Sequence, residues 1–263
     1  MTSVTKQLLR DTITIGGDLT VRRMGFGAMR ITGPGVWGPP ADRASAVALV
    51  RHAVDAGVNF IDTADSYGPY VSEEIIAEAL APYADDVVIA TKAGFVRPGP
   101  DDWVIDARPE RLRECAEGSL RRLKRDRIDL FQLHRIGPRV PMAESLGALT
   151  DLQREGKIRH IGISQTSVDE YEKAKKLAAI VSAQNRYNVE NRSSEDVLEA
   201  CERDGTVFLP WFPLGGTGSP KHTALKRIAT TLGATPTQVA LAWLLARFCP
   251  SPERRRSPTL TRT

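Results

Sequence analysis

Three apolar stretches of this chain run into side chains that can handle protons. Residues 58–62 (Val-Asn-Phe-Ile-Asp) close on Asp62, with Tyr67 five positions further on; residues 87–91 lead into Lys92, and residues 128–133 into His134. Taken singly, each has a plain structural reading: a strand-end cap, a snorkelling lysine, a hydrogen-bonded core histidine and a loop aromatic. They would meet if the three stretches are neighbouring parallel strands, because a parallel barrel gathers the C-terminal ends of its strands on one face. There a lysine held charged by an aspartate favours a neighbouring phenolate. It is expected to lower the tyrosine pKa from its free value of about 10 towards working pH. Tyr67 would then act as general acid while His134 orients a carbonyl oxygen, a set suited to protonating an alkoxide as hydride reaches carbon. No metal is called for, since His52, His160 and His222 lack carboxylates or cysteines at ligand spacing.

Positioning such a set requires alternating strands and helices, and the pattern supplies them. Residues 10–22 alternate around Gly16-Gly17-Asp18 as a β-hairpin. Residues 24–29 read as a short strand in which Gly25 and Gly27 permit close approach of a ligand or another strand. Residues 31–40, rich in Gly and Pro around Trp37, read as a loop. Asp42 caps a helix that Gly57 stops, before the strand at 58–62. Helices are expected over 72–81, 109–123, 141–155, 167–178, 194–203 and 236–247, and strands over 87–91, 128–133, 158–163, 180–183 and 207–211. Residues 93–107, with Phe95 and Trp103, read as a long loop. Seven strands each followed by a helix favour parallel βαβ units, and no eighth strand follows Arg247.

With 263 residues, 41% hydrophobic and 26% charged, the chain suits one large α/β barrel or two small domains. It has no apolar run approaching the roughly 18 residues that span a bilayer and no signal-peptide pattern, so a cytoplasmic protein without a membrane partner is expected. Cys115, Cys201 and Cys249 are odd in number and lack metal spacing, which reads as reduced structural thiols. The net charge of +4 resides in Arg254, Arg255, Arg256 and Arg262; without residues 254–263 the balance is zero. A nucleic-acid surface on the folded body is therefore not expected.

The motifs Asp62-Thr-Ala-Asp-Ser-Tyr-Gly68, Ala90-Thr-Lys92, Gln132-Leu-His134 and Gly156-Lys-Ile-Arg-His-Ile-Gly-Ile-Ser164 together resemble the aldo-keto reductase family over roughly residues 10–247. Within it, the loop at 33–40 resembles bacterial general aldo/keto and pyridoxal-type reductases. The resemblance implies a (β/α)8 TIM-type barrel with an N-terminal hairpin, spanning residues 1–247. It implies NADPH-dependent reduction of a small-molecule aldehyde or ketone by a tetrad of Asp62, Tyr67, Lys92 and His134. Tyr67 is the proton donor in that tetrad, Asp62 holds Lys92, and His134 positions the carbonyl. It further implies nicotinamide contacts from Ser164, Gln165 and Gln184, with Gln165 in place of the family's usual Asn. Trp211 would stack on the ring, and Gly215 and Gly216 would let the loop approach the pyrophosphate. Gly27, Met29, Phe212 and Leu214 complete the expected cofactor set. Phe26, Trp37, Phe95 and Trp103 are expected either to wall a pocket for apolar or aromatic carbonyls or to pack surface loops. A weak cofactor-binding barrel with a regulatory or redox-sensing role, and a hydrolytic barrel, remain open alternatives.

Where the family continues into an eighth strand and a Pro-Ile-Pro-Gly-Thr-Ser-Ser segment, this chain carries a basic tail over 248–263, expected to be disordered. Back-translated with free wobble bases and read in another frame from the third base of the Phe248 codon, that tail can spell Leu-Pro-Ile-Pro-Gly-Thr-Ser-Ser-Val-Ala-His-Leu-Asp-Glu-Asn. The expectation is a frameshift near Arg247 and a missing or disordered eighth β/α unit, with weakened binding at the adenosine-phosphate end.

Overall fold

The two-residue period of a strand decides which side chains enter the barrel and which meet the helices. A computed structural model describes residues 11–215 and 223–247. The predicted hairpin is present as β1 (Thr12–Ile15) and β2 (Leu19–Arg22), paired antiparallel. The parallel strands are β3 (Phe26–Gly27), β4 (Phe60–Asp62), β5 (Val88–Ala93), β8 (Ile128–Leu133), β9 (Ile158–Ser164), β10 (Ile180–Arg186) and β11 (Val207–Trp211). They form one seven-stranded sheet in the order β11-β10-β9-β8-β5-β4-β3. Between them come α1 (Arg43–Asp55), α2 (Val71–Leu80), α3 (Pro109–Leu123), α4 (Met142–Arg154), α5 (Val168–Leu177) and α6 (Glu195–Asp204). This is the parallel β/α architecture expected from the sequence. Among the described residues no single helix is long and apolar enough to cross a membrane.

The chain divides into two units, residues 1–185 with 194–209 and residues 186–193 with 210–263. In the first, Phe60, Val88, Ala90 and Leu130 form an inner cluster with Ile15, Leu19 and Val21 of the hairpin. Ile61 and Ile89, one position out of phase, pack instead on Val47 and Val50 of α1 and Ile75 and Ile76 of α2. Counting in twos from Phe60, Ala90 and Leu130 reaches Asp62, Lys92, and then Gln132 and His134. The same alternation that builds the core therefore aims the polar residues inward at the strand ends. The hairpin docks closely against β9. Gly16 has φ +63°, and a Cβ there would collide with the His160 ring. Asp18 Oδ1 lies 2.6 Å from His160 Nε2, and Arg159 Nη2 donates to Asp18 Oδ2 at 2.6 Å.

Several local expectations are corrected. The strand expected at 24–29 is two residues long because the chain turns into a 3-10 helix at Ala28–Ile31. Gly25 there serves packing, since a Cβ would lie 2.8 Å from Phe60 Cδ1. Helix α2 starts at Val71 rather than Ser72, after Tyr70 with φ +74°, and the Ser72 hydroxyl turns inward to donate to Ala28 O. The loop expected at 93–107 contains a small hairpin, β6 (Phe95–Val96) with β7 (Val104–Ile105).

In the second unit, α7 (Thr223–Leu232) was not anticipated, whereas α8 (Pro236–Arg247) was. The Tyr187 ring is fully buried and stacks on Trp243 of α8 at 5.8 Å. Tyr187 N–H donates to Trp211 O at 3.3 Å and Asn188 Nδ2 to Phe212 O at 2.9 Å, pinning the turn that follows β11. Gly216, Cys249, the basic tail and the expected loss of an eighth unit all fall outside the described residues.

Candidate active site

Lys92 is completely buried at the end of β5, so its charge survives only through what surrounds it. Nζ donates to Asp62 Oδ2 at 2.8 Å and to Thr63 O at 2.7 Å, and lies 5.4 Å from the Tyr67 ring centroid. Burial pushes the ammonium pKa down, but Asp62 and then Tyr67 outweigh it and hold Lys92 above its ordinary value. Asp62 is fixed in turn, its Oδ1 accepting from Gln132 Nε2 at 3.2 Å and Gln184 Nε2 at 3.0 Å.

Tyr67 departs from the expectation in direction. Burial of the phenol is the largest influence and raises its pKa; Lys92 pulls it down without prevailing. The phenol is thus a protonated acid rather than one eased towards ionisation, because an uncharged phenol loses less on leaving water than a phenolate. His134, at the end of β8, is held well below its ordinary value, first by burial and then by the charges of Lys92 and Arg135. It is a neutral imidazole with Nδ1 3.4 Å from Ser66 Oγ. The ring packs edge-on against Phe95, Tyr67 and Trp103, with centroids at 4.7, 5.9 and 6.4 Å.

Of the four loop aromatics, Phe95 and Trp103 reach this cluster, and their own centroids are 5.3 Å apart. Phe26 instead packs into the layer between sheet and helices. Trp37 is tied in through Arg97, a buried arginine whose guanidinium carbon sits 3.6 Å from the Trp103 centroid and 5.7 Å from that of Trp37. Arg97 donates to the carbonyls of Asp102, Val36, Ser66 and Gly35 at 2.7, 3.0, 2.9 and 2.9 Å. Sequence reading missed it, since an arginine among Gly, Pro and Asp looks like a solvated loop charge.

The expected cofactor positions divide between the two units. In the first, Gly27 is the register partner of Asp62, and the space where its Cβ would stand holds no heavy atom within 4 Å. Ser164 ends β9, buried, donating through Oγ to Gln184 O at 3.0 Å. Gln184 spends its amide N–H on Asp62, which brings it to the tetrad itself. Gln165 is exposed with φ +55°. That conformation suits Asn, the family's usual residue, better than Gln. Met29 is half-buried in the 3-10 turn, and its carbonyl accepts from Thr32 Oγ1 at 3.0 Å. In the second unit, Trp211 and Phe212 pack edge-on at 4.9 Å, with Arg186 at 5.9 Å from either ring. Phe212 O accepts from Gly215 N at 2.9 Å, with Gly215 at φ +82° and Leu214 half-buried in the same turn.

One buried acid lies behind the tetrad. Asp65 is fully desolvated, neither carboxyl oxygen has a hydrogen-bond partner, and the weakly donating Cys115 thiol beside it falls short of hydrogen-bond geometry. Burial first, and then the Glu73 carboxylate, raise its pKa to about 7 against opposition from Cys115, Arg122 and Arg111. Cys115 and Cys201 are buried free thiols, as expected.

A parallel β/α barrel with an inward-facing carboxylate, ammonium, phenol and imidazole at its strand ends defines a class of oxidoreductase scaffold. Residues 23–260 match the family model described as the aldo/keto reductase family, and the chain belongs to that family. It is 45% identical over 232 residues to an uncharacterized oxidoreductase of Schizosaccharomyces pombe, covering 88% of this chain and 76% of that one. It is 42% identical over 243 residues to pyridoxine 4-dehydrogenase of Escherichia coli, covering 90% and 85%. Among solved structures, a glycerol dehydrogenase from Gluconobacter oxydans superposes with a TM-score of 0.80 at 30% identity, covering 90% of this chain and 83% of that one. An aldo-keto reductase from Klebsiella pneumoniae in complex with NADPH gives 0.76 at 27% identity, covering 89% and 81%. The protein is thus a nicotinamide-dependent oxidoreductase of carbonyl and alcohol groups in small molecules.

Proposed function

We propose that this chain reduces aldehydes or ketones to alcohols with NADPH, and that Tyr67 delivers the proton. The observation carrying the proposal is the buried Lys92 ammonium, held by Asp62 at 2.8 Å and facing the Tyr67 ring. A reduced nicotinamide, when bound, supplies hydride to the carbonyl carbon. As charge grows on the carbonyl oxygen, the Tyr67 hydroxyl gives up its proton and becomes a phenolate beside Lys92. The ammonium keeps that phenolate from costing its full desolvation penalty, and Asp62, braced by Gln132 and Gln184, keeps the ammonium in position. His134 is neutral, and with Nδ1 turned to Ser66 its Nε2 is left for the carbonyl, which it orients as an N–H when the Ser66 hydroxyl donates to Nδ1.

The residues present fit a nicotinamide. Gly27 leaves open space opposite Asp62, while the Ser164 hydroxyl and the Gln184 amide stand at the same strand ends. NADPH rather than NADH is supported by the Klebsiella pneumoniae neighbour with that cofactor. An aromatic or otherwise apolar aldehyde is supported by the Tyr67, Phe95 and Trp103 walls, and the relative named for pyridoxine makes a ring-borne aldehyde the first substrate to try. The test mixes purified protein with NADPH and a panel of aldehydes and follows loss of cofactor absorbance. Tyr67→Phe is expected to lower kcat by about a hundred-fold or more with cofactor affinity retained. Cofactor binding without turnover in the unaltered protein, or an undiminished Tyr67→Phe variant, overturns the proposal.

A further inference from the structure

Arg135 follows His134 directly, and its surroundings differ from those of the other arginines near the site. Its Nη1 donates to His134 O at 2.7 Å and approaches Ser164 Oγ at 3.5 Å, and its guanidinium carbon lies 5.3 Å from the Phe95 centroid. Among the described residues no carboxylate comes within ion-pair distance of it, whereas Arg122 and Arg125 pair with Glu73 and Asp129. Nor is it consumed as Arg97 is, by main-chain carbonyls on every side. Among the described residues Nε and Nη2 have no acceptor, and neither is sealed from solvent. A half-buried guanidinium does not shed its proton, so its remaining donors are directed at whatever enters the space beside it.

That space opens on the site, because its neighbours are His134, Ser164 and the Phe95 wall against which a ring would lie. Building on the reductase reading above, we infer that Arg135 is a specificity residue. It pairs with an ionised oxygen, carboxylate or phenolate, carried on the ring of an aromatic carbonyl substrate. The fork of Nε and Nη2 suits two oxygens of a carboxylate or one phenolate, while Phe95 and Trp103 take the ring. Burial is the leading influence on the Arg135 pKa and lowers it, which is what a cation without a carboxylate partner experiences.

The experiment compares para-carboxybenzaldehyde with its methyl ester, which keeps the ring and carbonyl but not the charge. In the unaltered protein kcat/KM should favour the acid by about ten-fold or more, and Arg135→Gln should erase that ratio mainly through KM. Arg135→Lys, which keeps the charge but not the fork, should restore part of it. Equal rates on both aldehydes, or a glutamine variant that lowers both alike, overturns the inference while leaving the reductase reading intact. Turnover of no aldehyde in the panel sinks the reductase reading instead, and turnover of others but of neither of these leaves the subsite to binding. In either event calorimetry with benzoate and benzamide on the NADP-bound protein decides the subsite. Benzoate binding selectively, and weakening about ten-fold or more in Arg135→Gln, upholds it; no selectivity refutes it.

Discussion

At the scale of single residues, two acids placed within a few positions of each other are treated in opposite ways. Asp62 accepts from Lys92, Gln132 and Gln184, whereas the Asp65 carboxyl is buried without a hydrogen-bond partner among the described residues. With a folded pKa raised to about 7, Asp65 holds a proton in the native state that the unfolded chain releases near pH 4. Its contribution to stability is therefore full below about pH 4, declines as pH rises to about 7, and is flat above that, a loss of up to about 4 kcal/mol. Asp65→Asn should remove this slope, so that denaturant midpoints of variant and parent converge at about pH 4 and separate at about pH 8. An unchanged slope in the variant refutes this account. Asp62 and Lys92 were legible because strand parity is written in Phe60 and Ala90, two positions before each, and His134 because Leu130 lies four before it; Tyr67, in the turn beyond β4, was marked only by its residue type and nearness to Asp62. The direction of the Tyr67 pKa was not, since burial outweighs Lys92 and the degree of burial is a property of packing. Arg135 escaped notice because an arginine just past a strand end reads as a solvated charge.

Elements were legible where the pattern was long and misread where it was short. Helices α1 and α3 begin where Asp42 and Pro109 mark them, and α5 begins after Ser167, whose capping box with Glu170 the structure shows. The β6–β7 hairpin has two residues in each strand, too few for alternation to register. Helix α7 is a different failure, because Leu225, Ala229 and Leu232 recur at helical spacing and were passed over between Gly-rich neighbours. The small hairpin is held by Arg97, which joins it to residues 35–36 and to Ser66, next to Tyr67, the proposed proton donor. Arg97→Met keeps much of the side-chain bulk but leaves these carbonyls without donors. It should cost about 3 kcal/mol or more. A lower thermal midpoint and a KM for aromatic aldehydes that rises more than that for small aliphatic ones are expected. Equal changes for both substrate classes would mean that Arg97 supports the fold alone.

For the molecule as a whole, parallel β/α alternation carried the fold class, and the first unit bears it out from β3 to the start of β11. The closing of its N-terminal side was visible only as a hairpin pattern; that it seats on His160 depends on Gly16 lacking a side chain, a requirement arising some 140 positions away. Asp18 is joined to Arg159 and His160 across a separation of 141 and 142 residues. Contacts so distant in sequence close late, after their loop entropy has been met by other pairings. Asp18→Asn should accordingly speed unfolding a few-fold and leave the refolding rate nearly unchanged, as stopped-flow fluorescence would register. Slowed refolding would instead put the hairpin in the nucleus. On the ribosome the consequence is one of timing: the hairpin gains Phe60, Val88 and Leu130 as β4, β5 and β8 emerge, but its polar latch to Arg159 and His160 waits for β9. Until those strands are made the growing chain carries an apolar ribbon, Ile13, Ile15, Leu19 and Val21, without its cover, which makes this stretch a natural place for a chaperone to wait.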